Sequence, residues 1–562
     1  MATGSSSARH TPGRLGNGLA RVLACLDVQL LTARKTHLLL LFPLLGLAFA
    51  SHFRGDWIWD DVYLVQRNRH FDGLVGLKWL LTHDLWASAG FPRSDLYHPL
   101  PMAYIWATIQ LVGKSLVLLR CGNLLIHAAN SLLFARWLRR VGVPAWGATW
   151  AALVVALHPI TTEPVMWITG SHDLLATLCC LSALLVWTNP CRPLTPLRVG
   201  TATLLFGLAA LCKEPYFTFP AVLASSTMLA QRLRPKRIQL FYLLGPAGVI
   251  VLVILLRQAL MIRTGSDQIR VPLLSHLRNF ATISWHYLAI DCSFGNGPTT
   301  QNFRTLGLGA SAMVLTGIGL VTLALWFWMR PRQQFGALAL FGWIWFLVAL
   351  SPHVVAMPVI GMFGNRYGYF PLFGFVTLAT AVLSHYVPRW KLAAFARFKW
   401  VIVAPVLLLT LFTAAEARLW KSNETLFAAD VLRDSMDPKS LYHYGHALLA
   451  PAGCEAALPF FEQSSNIDPA YGRAWHNRAG CLIQLNRPAE ALHSALRSME
   501  LQPRDAGAAY NLALALFATG RTSAGTERLR YALTLAPNHS EALHLAAKLG
   551  IETRVGQPEL AP

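Results

Sequence analysis

The sequence has few charged residues for its length, and acidic residues are especially scarce. Of 562 residues, 13% are charged and 54% are hydrophobic, and 48 Lys and Arg outnumber 27 Asp and Glu. This composition excludes an ordinary soluble enzyme, which needs a more polar surface. The formal charge of +21 does not indicate nucleic-acid binding either, because the basic residues lie between apolar segments rather than on one face. We therefore predict a polytopic membrane protein with no nucleic-acid partner.

The sequence also lacks paired metal-ligand or redox motifs. Its nine cysteines include no CxxC pair and no His/Cys cluster, so no structural metal is predicted. Most of them lie within apolar runs, but Cys454 and Cys481 lie in a polar C-terminal region and can pair if that region is extracytoplasmic. No cleavable signal pattern precedes the first apolar stretch, so we predict that it remains as an anchor behind a basic tail at residues 1–35.

Apolar stretches long enough to cross a bilayer, roughly 17 to 25 residues each, recur over residues 36–420. The pattern predicts about eleven, near 36–53, 117–138, 144–160, 172–189, 198–212, 215–231, 239–261, 306–329, 335–352, 367–387 and 399–417. Basic clusters, such as those at 136–140 and 232–237, alternate with loops that carry the unusual polar residues. Because cytoplasmic loops are the basic ones, the N-terminus is predicted to be cytoplasmic. The polar loops and the C-terminal region are predicted to be extracytoplasmic.

Residues 421–550 repeat with a period of 34. Pro469, Pro503 and Pro537 are separated by 34 residues each time, and Leu448 and Leu482 keep the same step. This period with a closing proline is typical of tetratricopeptide (TPR) repeats, which are helix pairs that stack into a solenoid. We predict an all-α protein in which a membrane domain precedes about three TPR repeats and a tail at 551–562.

Two adjacent carboxylates, Asp60 and Asp61, follow the first apolar stretch and are flanked by Trp57 and Trp59. Keeping a carboxylate charged at a bilayer edge is costly, which favours a function for it. One acid can deprotonate an acceptor hydroxyl while the other orients it or holds a cation. The alternative is a pair of solvated acids beside ordinary interfacial tryptophans. Our hypothesis is that Asp60 is a catalytic base at a membrane surface.

The motifs around this pair resemble, in order, those of GT-C glycosyltransferases. The resemblance is strongest to the transmembrane-and-TPR-containing protein O-mannosyltransferases and their bacterial relatives. The matching segments are Trp59-Asp-Asp61 with Asn68, Tyr97-His-Pro-Leu100, Gly122-Asn-Leu-Leu-Ile-His127, His158-Pro-Ile-Thr-Thr-Glu163, Gly170-Ser-His-Asp-Leu-Leu-Ala176, Leu211-Cys-Lys-Glu214, Asn365-Arg-Tyr-Gly-Tyr-Phe-Pro371 and Trp420 with Glu424-Thr-Leu-Phe427. His98 and His172 stand where that family has arginines, and Asn365 stands where it has glutamate.

The resemblance implies transfer of a mannose-like hexose from a polyprenyl- or dolichyl-phosphate donor to a hydroxyl, with Ser or Thr of a protein as the expected acceptor. It implies that Asp60 is the base of an inverting displacement and Asp61 its partner. The candidates to hold the donor phosphate are Arg366, Lys213 and His98. The expected supporting residues are Tyr97, His158, Glu163, His172, Asp173, Glu214 and Tyr369. No cofactor is implied, and a divalent cation at the two aspartates stays open.

Structural roles compete with several of these assignments. Lys213 and Glu214 can pair with each other across a short turn, and Arg366 can anchor the interface with its stem in lipid. A neutral His98 at a helix end suits a structural role, and Asp173 is either a neighbour of the Asp60 site or a helix N-cap. Helix capping is the expected role of two further residues, His158 and Glu163.

Three other functions compete with a protein-modifying enzyme. A TPR membrane scaffold needs only one anchoring helix, which argues against it here. A transporter predicts matching broken helices in two halves, and the sequence shows no such symmetry. A glycosyltransferase that acts on a lipid or envelope glycan differs mainly in its acceptor, and the TPR repeats favour a protein acceptor or partner. The histidines in place of family arginines favour a bacterial inner membrane, with the periplasm as the active face.

Overall fold

The computed structural model describes residues 36–89, 96–188, 194–233, 240–260, 272–293, 303–329, 334–360, 363–387 and 392–551. These residues form helices and connecting turns, with no β-strand among them, so the all-α prediction is confirmed. The α-helices before the repeats are α1 Thr36–Ala48, α2 Gly73–Thr82, α3 Pro99–Val112, α4 Leu116–Arg140, α5 Ala145–Leu157, α6 Thr162–Met166, α7 Ser171–Trp187, α8 Pro196–Ala210, α9 Phe219–Leu233, α10 Leu244–Ala259, α11 Leu273–Ser293, α12 Leu308–Met329, α13 Gln334–Leu350, α14 His353–Ile360, α15 Tyr369–Tyr386 and α16 Leu392–Leu419.

Five helical segments of the described chain are long and apolar enough to cross a membrane. They are Leu116–Arg140, Ile168–Trp187, Leu308–Met329, Gln334–Pro358 and Asn365–Tyr386. A sixth is obtained if the bent pair Val403–Leu419 and Asn423–Arg433 counts as one span. The sequence predicted about eleven, and that number is not confirmed. The chain has the apolar helices of a multi-pass membrane protein, but several predicted spans form helices of only 13 to 16 residues. At 1.5 Å per residue, such helices are shorter than the hydrocarbon core of a bilayer.

Helices α13 and α15 of the membrane domain pack in close contact. A Cβ on Gly342 would lie 2.7 Å from the carbonyl oxygen of Gly374, and a Cβ on Gly374 would lie 2.7 Å from that of Gly342. Glycine at both positions lets the two backbones touch, as small residues do at membrane helix interfaces. This packing fixes the start of α15, which follows the turn Asn365–Gly368.

The C-terminal region is the predicted TPR stack. It starts with α17 Asn423–Arg433, which has a capping box at Ser422. The helix Pro438–Ile467, α18, contains Gly453 at φ 76° and is therefore two helices that meet at a kink. The following helices are α19 Gly472–Gln484, α20 Pro488–Leu501, α21 Ala506–Ala518, α22 Thr522–Leu535 and α23 Ser540–Lys548. Three helix pairs and a terminal helix thus follow the 34-residue period.

The start of this stack is joined to the loop that follows α1. The N–H of Asp56 donates to the carbonyl oxygen of Lys421 at 2.8 Å. Gly55 has φ 147°, and a Cβ there would lie 2.6 Å from that same oxygen. The N–H of Trp59 donates to Asn423 Oδ1 at 2.8 Å. These contacts hold the loop of Asp60 against the base of the TPR stack. The predicted tail at 1–35, residues 552–562 of the predicted tail at 551–562 and residues 234–237 of the basic cluster at 232–237 lie outside the described residues.

Candidate active site

Asp61 is held by the turn that follows α6. Its two carboxylate oxygens accept the backbone N–H groups of Ile168 at 2.8 Å and Thr169 at 3.0 Å. The side chain is fully buried. Burial raises the pKa of Asp61 to about 7, although the two N–H donors and the charge of Arg120 act in the opposite direction. Asp61 therefore fixes the position of the loop, because each of its carboxylate oxygens accepts a backbone N–H group.

Asp60 is placed differently from its neighbour. It is half-buried, and its carboxylate forms no hydrogen bond with any residue that the structure describes. Burial raises the pKa of Asp60 to about 6, while the positive charges of Arg366 and Arg473 lower it. A carboxylate with a raised pKa and no donor attached is suited to accept a proton near neutral pH. Asp60 thus has the properties that the predicted base requires.

The residue before Asp60 has a strained backbone. Trp59 has φ 52°, a left-handed conformation that a bulky side chain rarely adopts. Its indole stacks on Trp167 with ring centroids 5.5 Å apart and makes edge contacts with Phe427 at 6.0 Å and His443 at 5.7 Å. The conformation is therefore held by rings from both the membrane domain and the TPR stack.

Arg366 is paired with Glu163 at the floor of this site. Its guanidinium bonds the Glu163 carboxylate, and its backbone N–H donates to the same side chain at 3.0 Å. The guanidinium also lies 5.5 Å from the ring of Trp59 and 5.2 Å from that of Trp167. The expected capping role of Glu163 is seen at the turn Asn365–Gly368, whose first N–H groups include that of Arg366, and the same carboxylate also neutralises the buried guanidinium. Arg366 is only 8% exposed, so the role of a lipid-facing anchor is wrong.

Lys213 is paired with Asp173 rather than with its neighbour. Its Nζ lies 2.6 Å from Asp173 Oδ2 and 5.1 Å from the ring of Tyr367, which also faces Arg366 at 4.6 Å. The expected Lys213–Glu214 pair is wrong, because Lys213 has extended φ and ψ angles that send adjacent side chains to opposite sides. Asp173 lies in the first turn of α7, where its side chain binds Lys213 instead of capping the helix.

Glu214 binds two basic side chains. Its carboxylate lies 2.8 Å from His98 Nε2 and 2.5 Å from Arg257 Nη1. Burial by itself would raise the pKa of Glu214, but His98 and Arg257 hold it well below its usual range. Arg257 comes from α10 and was not predicted as a site residue. Its position at the end of an apolar helix gave no signal that it faces the protein interior.

The remaining predicted residues support the surrounding structure. His172 packs edge-on against His98 with ring centroids 4.8 Å apart. His158 accepts the N–H of Ile160 and so caps the turn Pro159–Thr161. Two tyrosine hydroxyls bind groups away from Asp60: Tyr97 donates to Leu81 O at 2.7 Å, and Tyr369 bonds His127 Nδ1 at 2.8 Å and Asn130 at 3.1 Å.

No metal site is evident in the part of the chain that the structure describes. No group of three or more His, Cys, Asp or Glu side chains there is arranged to hold a metal ion. Asp61 already accepts two N–H donors, and the hydrogens of these donors repel a cation. This use of Asp61 disfavours a cation shared with Asp60.

The TPR stack contributes side chains to the site that sequence reasoning missed. His443 of α18 stacks on Phe427 at 4.8 Å and touches Trp59. Tyr442, next to it, touches Tyr471 at 5.3 Å, and Arg473 follows two residues later at the start of α19. The repeat pattern predicts which residues form the inner face of the stack but not that this face meets a loop about 400 residues earlier in the chain.

No family model matches the sequence, but it is similar to curated proteins. Protein O-mannosyl-transferase TMTC3 from Mus musculus is 24% identical over 502 residues, which cover 80% of this chain and 53% of the relative. The human TMTC3 protein is 24% identical over 503 residues with the same coverage. Protein O-mannosyl-transferase Tmtc3 from Drosophila melanogaster is 22% identical over 531 residues, which cover 80% of this chain and 57% of the relative. The chain is homologous to these proteins and spans about half of their length.

Solved structures resemble shorter parts of the chain. MamA from Desulfovibrio magneticus RS-1 has a TM-score of 0.21 and 22% identity, and the match covers 22% of this chain and 73% of that one. YrrB, described as a TPR protein with an unusual peptide-binding site, has a TM-score of 0.22 and 19% identity over 28% of this chain and 87% of its own.

Proposed function

We propose that this chain transfers a mannose-like hexose from a polyprenyl- or dolichyl-phosphate donor to a Ser or Thr hydroxyl of a protein acceptor. The homologues named as protein O-mannosyl-transferases support the reaction class. The observation that carries the proposal is the carboxylate of Asp60, which has no hydrogen-bond partner among the described residues and lies between the membrane domain and a TPR stack. A reaction between a lipid-linked donor and a protein needs a site at such a boundary.

Asp60 acts as the general base in this proposal. It takes the proton of the acceptor hydroxyl while the hydroxyl oxygen forms a bond to the anomeric carbon of the sugar. The bond between that carbon and the phosphate oxygen breaks, and the electron pair leaves with the polyprenyl phosphate. The sugar configuration inverts, and no acid is needed because the phosphate leaves unprotonated. General bases of this kind contribute about 10² to 10⁴ in rate.

The extracytoplasmic face is the proposed side of the reaction. The side chains of Cys454 and Cys481 meet between the first and second repeats, with Cα atoms 5.0 Å apart, as in a disulfide. Disulfides persist in oxidising compartments, and the stack that carries this pair also holds the Asp60 loop. The repeats present an inner surface suited to a polypeptide, which favours a protein acceptor over a glycan.

The test is transfer of radiolabelled mannose from purified dolichyl-phosphate mannose to a panel of acceptor proteins, with the full chain in detergent or vesicles. We expect Asp60→Asn to lower the transfer rate by about 10² to 10⁴. Asp56→Asn is the matched control, because Asp56 is an exposed aspartate of the same loop whose contacts to the stack use its backbone. Equal transfer by wild type and Asp60→Asn contradicts Asp60 as the base. Protein binding without transfer from any lipid-phosphate donor favours a scaffold.

A further inference from the structure

We infer that the phosphate of the lipid-linked donor is bound by Arg473, a residue of the TPR stack, so that the stack forms part of the active site. The inference rests on the proposed function and goes beyond it. It replaces the three phosphate-binding candidates of the membrane domain by a residue of the repeat domain, and it gives that domain a role in donor binding as well as in acceptor recruitment.

The predicted phosphate ligands are already committed to carboxylates. Arg366 is paired with Glu163, and Lys213 is paired with Asp173 at 2.6 Å. His98 is held by Glu214. Each of these pairs is largely buried, so a phosphate would have to compete with a carboxylate that is already bound, and displacing that carboxylate would leave it buried and unpaired, at high cost. These three residues are therefore better suited to supporting the site than to binding a second anion.

Arg473 has the opposite properties. It is exposed, and it forms no ion pair with any carboxylate of the described chain. Arg366 and Arg473 are the two cations whose charges act on Asp60, and Arg366 is the paired one. Arg473 is thus an exposed guanidinium, unpaired in the described chain, whose charge acts on the proposed base.

Packing of the stack against the Asp60 loop keeps Arg473 in this place. Trp59, which precedes Asp60, contacts His443, and the next residue, Tyr442, contacts Tyr471 at 5.3 Å. Arg473 lies in the first turn of α19, two residues after Tyr471. A continuous set of aromatic contacts therefore connects the base to the helix that carries the guanidinium. The hydrogen bond from Trp59 to Asn423 fixes the same interface from the backbone side.

The chemistry favours phosphate as the group that Arg473 binds. In an inverting displacement the phosphate leaves from the side of the sugar opposite the attacking hydroxyl. An exposed cation on the helix that these aromatic contacts connect to the loop of the base can stabilise the charge that develops there. The planar guanidinium donates two parallel hydrogen bonds to phosphate oxygens, which a lysine cannot do.

The experiment measures steady-state transfer by the full chain with dolichyl-phosphate mannose and acceptor varied separately. We expect Arg473→Gln to raise KM for the donor at least tenfold and to leave KM for the acceptor unchanged, with partial recovery in Arg473→Lys. Arg504→Gln is the matched control, because Arg504 is an exposed arginine in a turn of the stack and should behave as wild type. Thermal unfolding of Arg473→Gln should match wild type, since an exposed residue is removed.

A second measurement separates this inference from the proposed function. Binding of dolichyl phosphate to the full chain is followed by quenching of tryptophan fluorescence, which needs no turnover. Weaker binding by Arg473→Gln than by Arg504→Gln supports a phosphate contact even if transfer is not detected. If wild type transfers mannose and Arg473→Gln raises KM only for the acceptor, the residue binds the acceptor and the inference is wrong, while the proposed function stands. Unchanged KM values and unchanged dolichyl phosphate binding also overturn it.

Discussion

The buried cations Arg366 and Lys213 of the membrane domain are paired with carboxylates, whereas two charged groups are left without such a pair where the TPR stack meets that domain. On the membrane side, Glu163 with Arg366 and Asp173 with Lys213 form buried pairs. At the stack, Asp60 and Arg473 have no partner of opposite charge within hydrogen-bond distance in the described chain. The difference follows from solvation, because a charge in apolar surroundings needs a counter-charge, whereas water can serve at the rim. Groups that must bind a substrate are expected on the solvated side.

This comparison changes the interpretation of the conspicuous charges in the sequence. Lysine and arginine near a membrane attract attention as ligands for a phosphate. Here they are held by carboxylates that come from other helices, and their effect on the reaction is indirect. Arg366 still lowers the pKa of Asp60 and packs beneath Trp59. In the proposed function, the membrane domain therefore positions and tunes the base, and the stack supplies Arg473.

The strongest test of the comparison is removal of a buried counter-charge. Glu163→Gln leaves the guanidinium of Arg366 without an anion in a site that is almost fully buried. Breaking a buried pair in this way costs about 3–5 kcal/mol, so we expect the free energy of unfolding, measured by denaturant titration in detergent, to fall by that amount. Glu500→Gln is the control, because Glu500 forms an exposed pair with Arg497 and should change stability little. Equal stability of the two variants would mean that the buried pair is not a structural requirement.

The two neighbouring aspartates offer a smaller and more selective test. In Asp61→Asn one carboxylate oxygen becomes an N–H₂ group, so one of the N–H donors of Ile168 and Thr169 loses its acceptor. A buried donor left unpaired costs about 1–3 kcal/mol. Asp60→Asn loses no hydrogen bond and removes a charge that burial disfavours, so its stability should equal or exceed that of wild type. A lower unfolding free energy for Asp60→Asn than for Asp61→Asn would reverse the roles assigned to the pair.

Much of the fold could be predicted from the sequence because its signals are local. The 34-residue period of Pro469, Pro503 and Pro537 identified the helix pairs of the stack, and long apolar stretches identified membrane helices. The number of spans was harder to predict. Hydropathy does not distinguish a helix that crosses the bilayer from a short apolar helix packed inside the bundle, such as Ala145–Leu157.

The sequence predicted several residues of the site but not the contacts between residues that are far apart in the chain. The sequence identified Asp60, Asp61, Arg366 and Lys213 as unusual polar residues beside apolar stretches. It could not show which carboxylate pairs with which cation, because partners such as Glu163 and Arg366 are about 200 residues apart and meet only through helix packing. Arg473 was missed for the same reason. In the sequence it is an ordinary charged residue of a repeat helix, and its position beside Asp60 depends on how the stack docks.

The pH dependence of transfer is the smallest expected effect and the one that reports most specifically on Asp60. The base must be ionised, and the pKa of Asp60 is raised to about 6, so we expect the rate to fall as pH decreases below 6. The fall should approach tenfold, or about 1.4 kcal/mol, per pH unit. The groups that act on this carboxyl are Arg366 and Arg473, which both lower its pKa, and burial, which raises it.

Substitution of Arg473 distinguishes Asp60 from Asp61 as the group that titrates. The charge of Arg473 lowers the pKa of Asp60, whereas Asp61 is influenced by burial, by its N–H donors and by Arg120. Arg473→Gln should therefore move the acid limb of the pH–rate profile to higher pH, while Arg504→Gln should leave it in place. The raised pKa of Asp60 also affects stability. Protonated Asp60 favours the folded state below pH 4, and this contribution is lost as pH rises through about 6. Asp60→Asn should therefore remove this part of the pH dependence of the unfolding free energy. An acid limb near pH 7 that does not respond to Arg473→Gln would assign the titration to Asp61 and would mean that Asp60 is not the base.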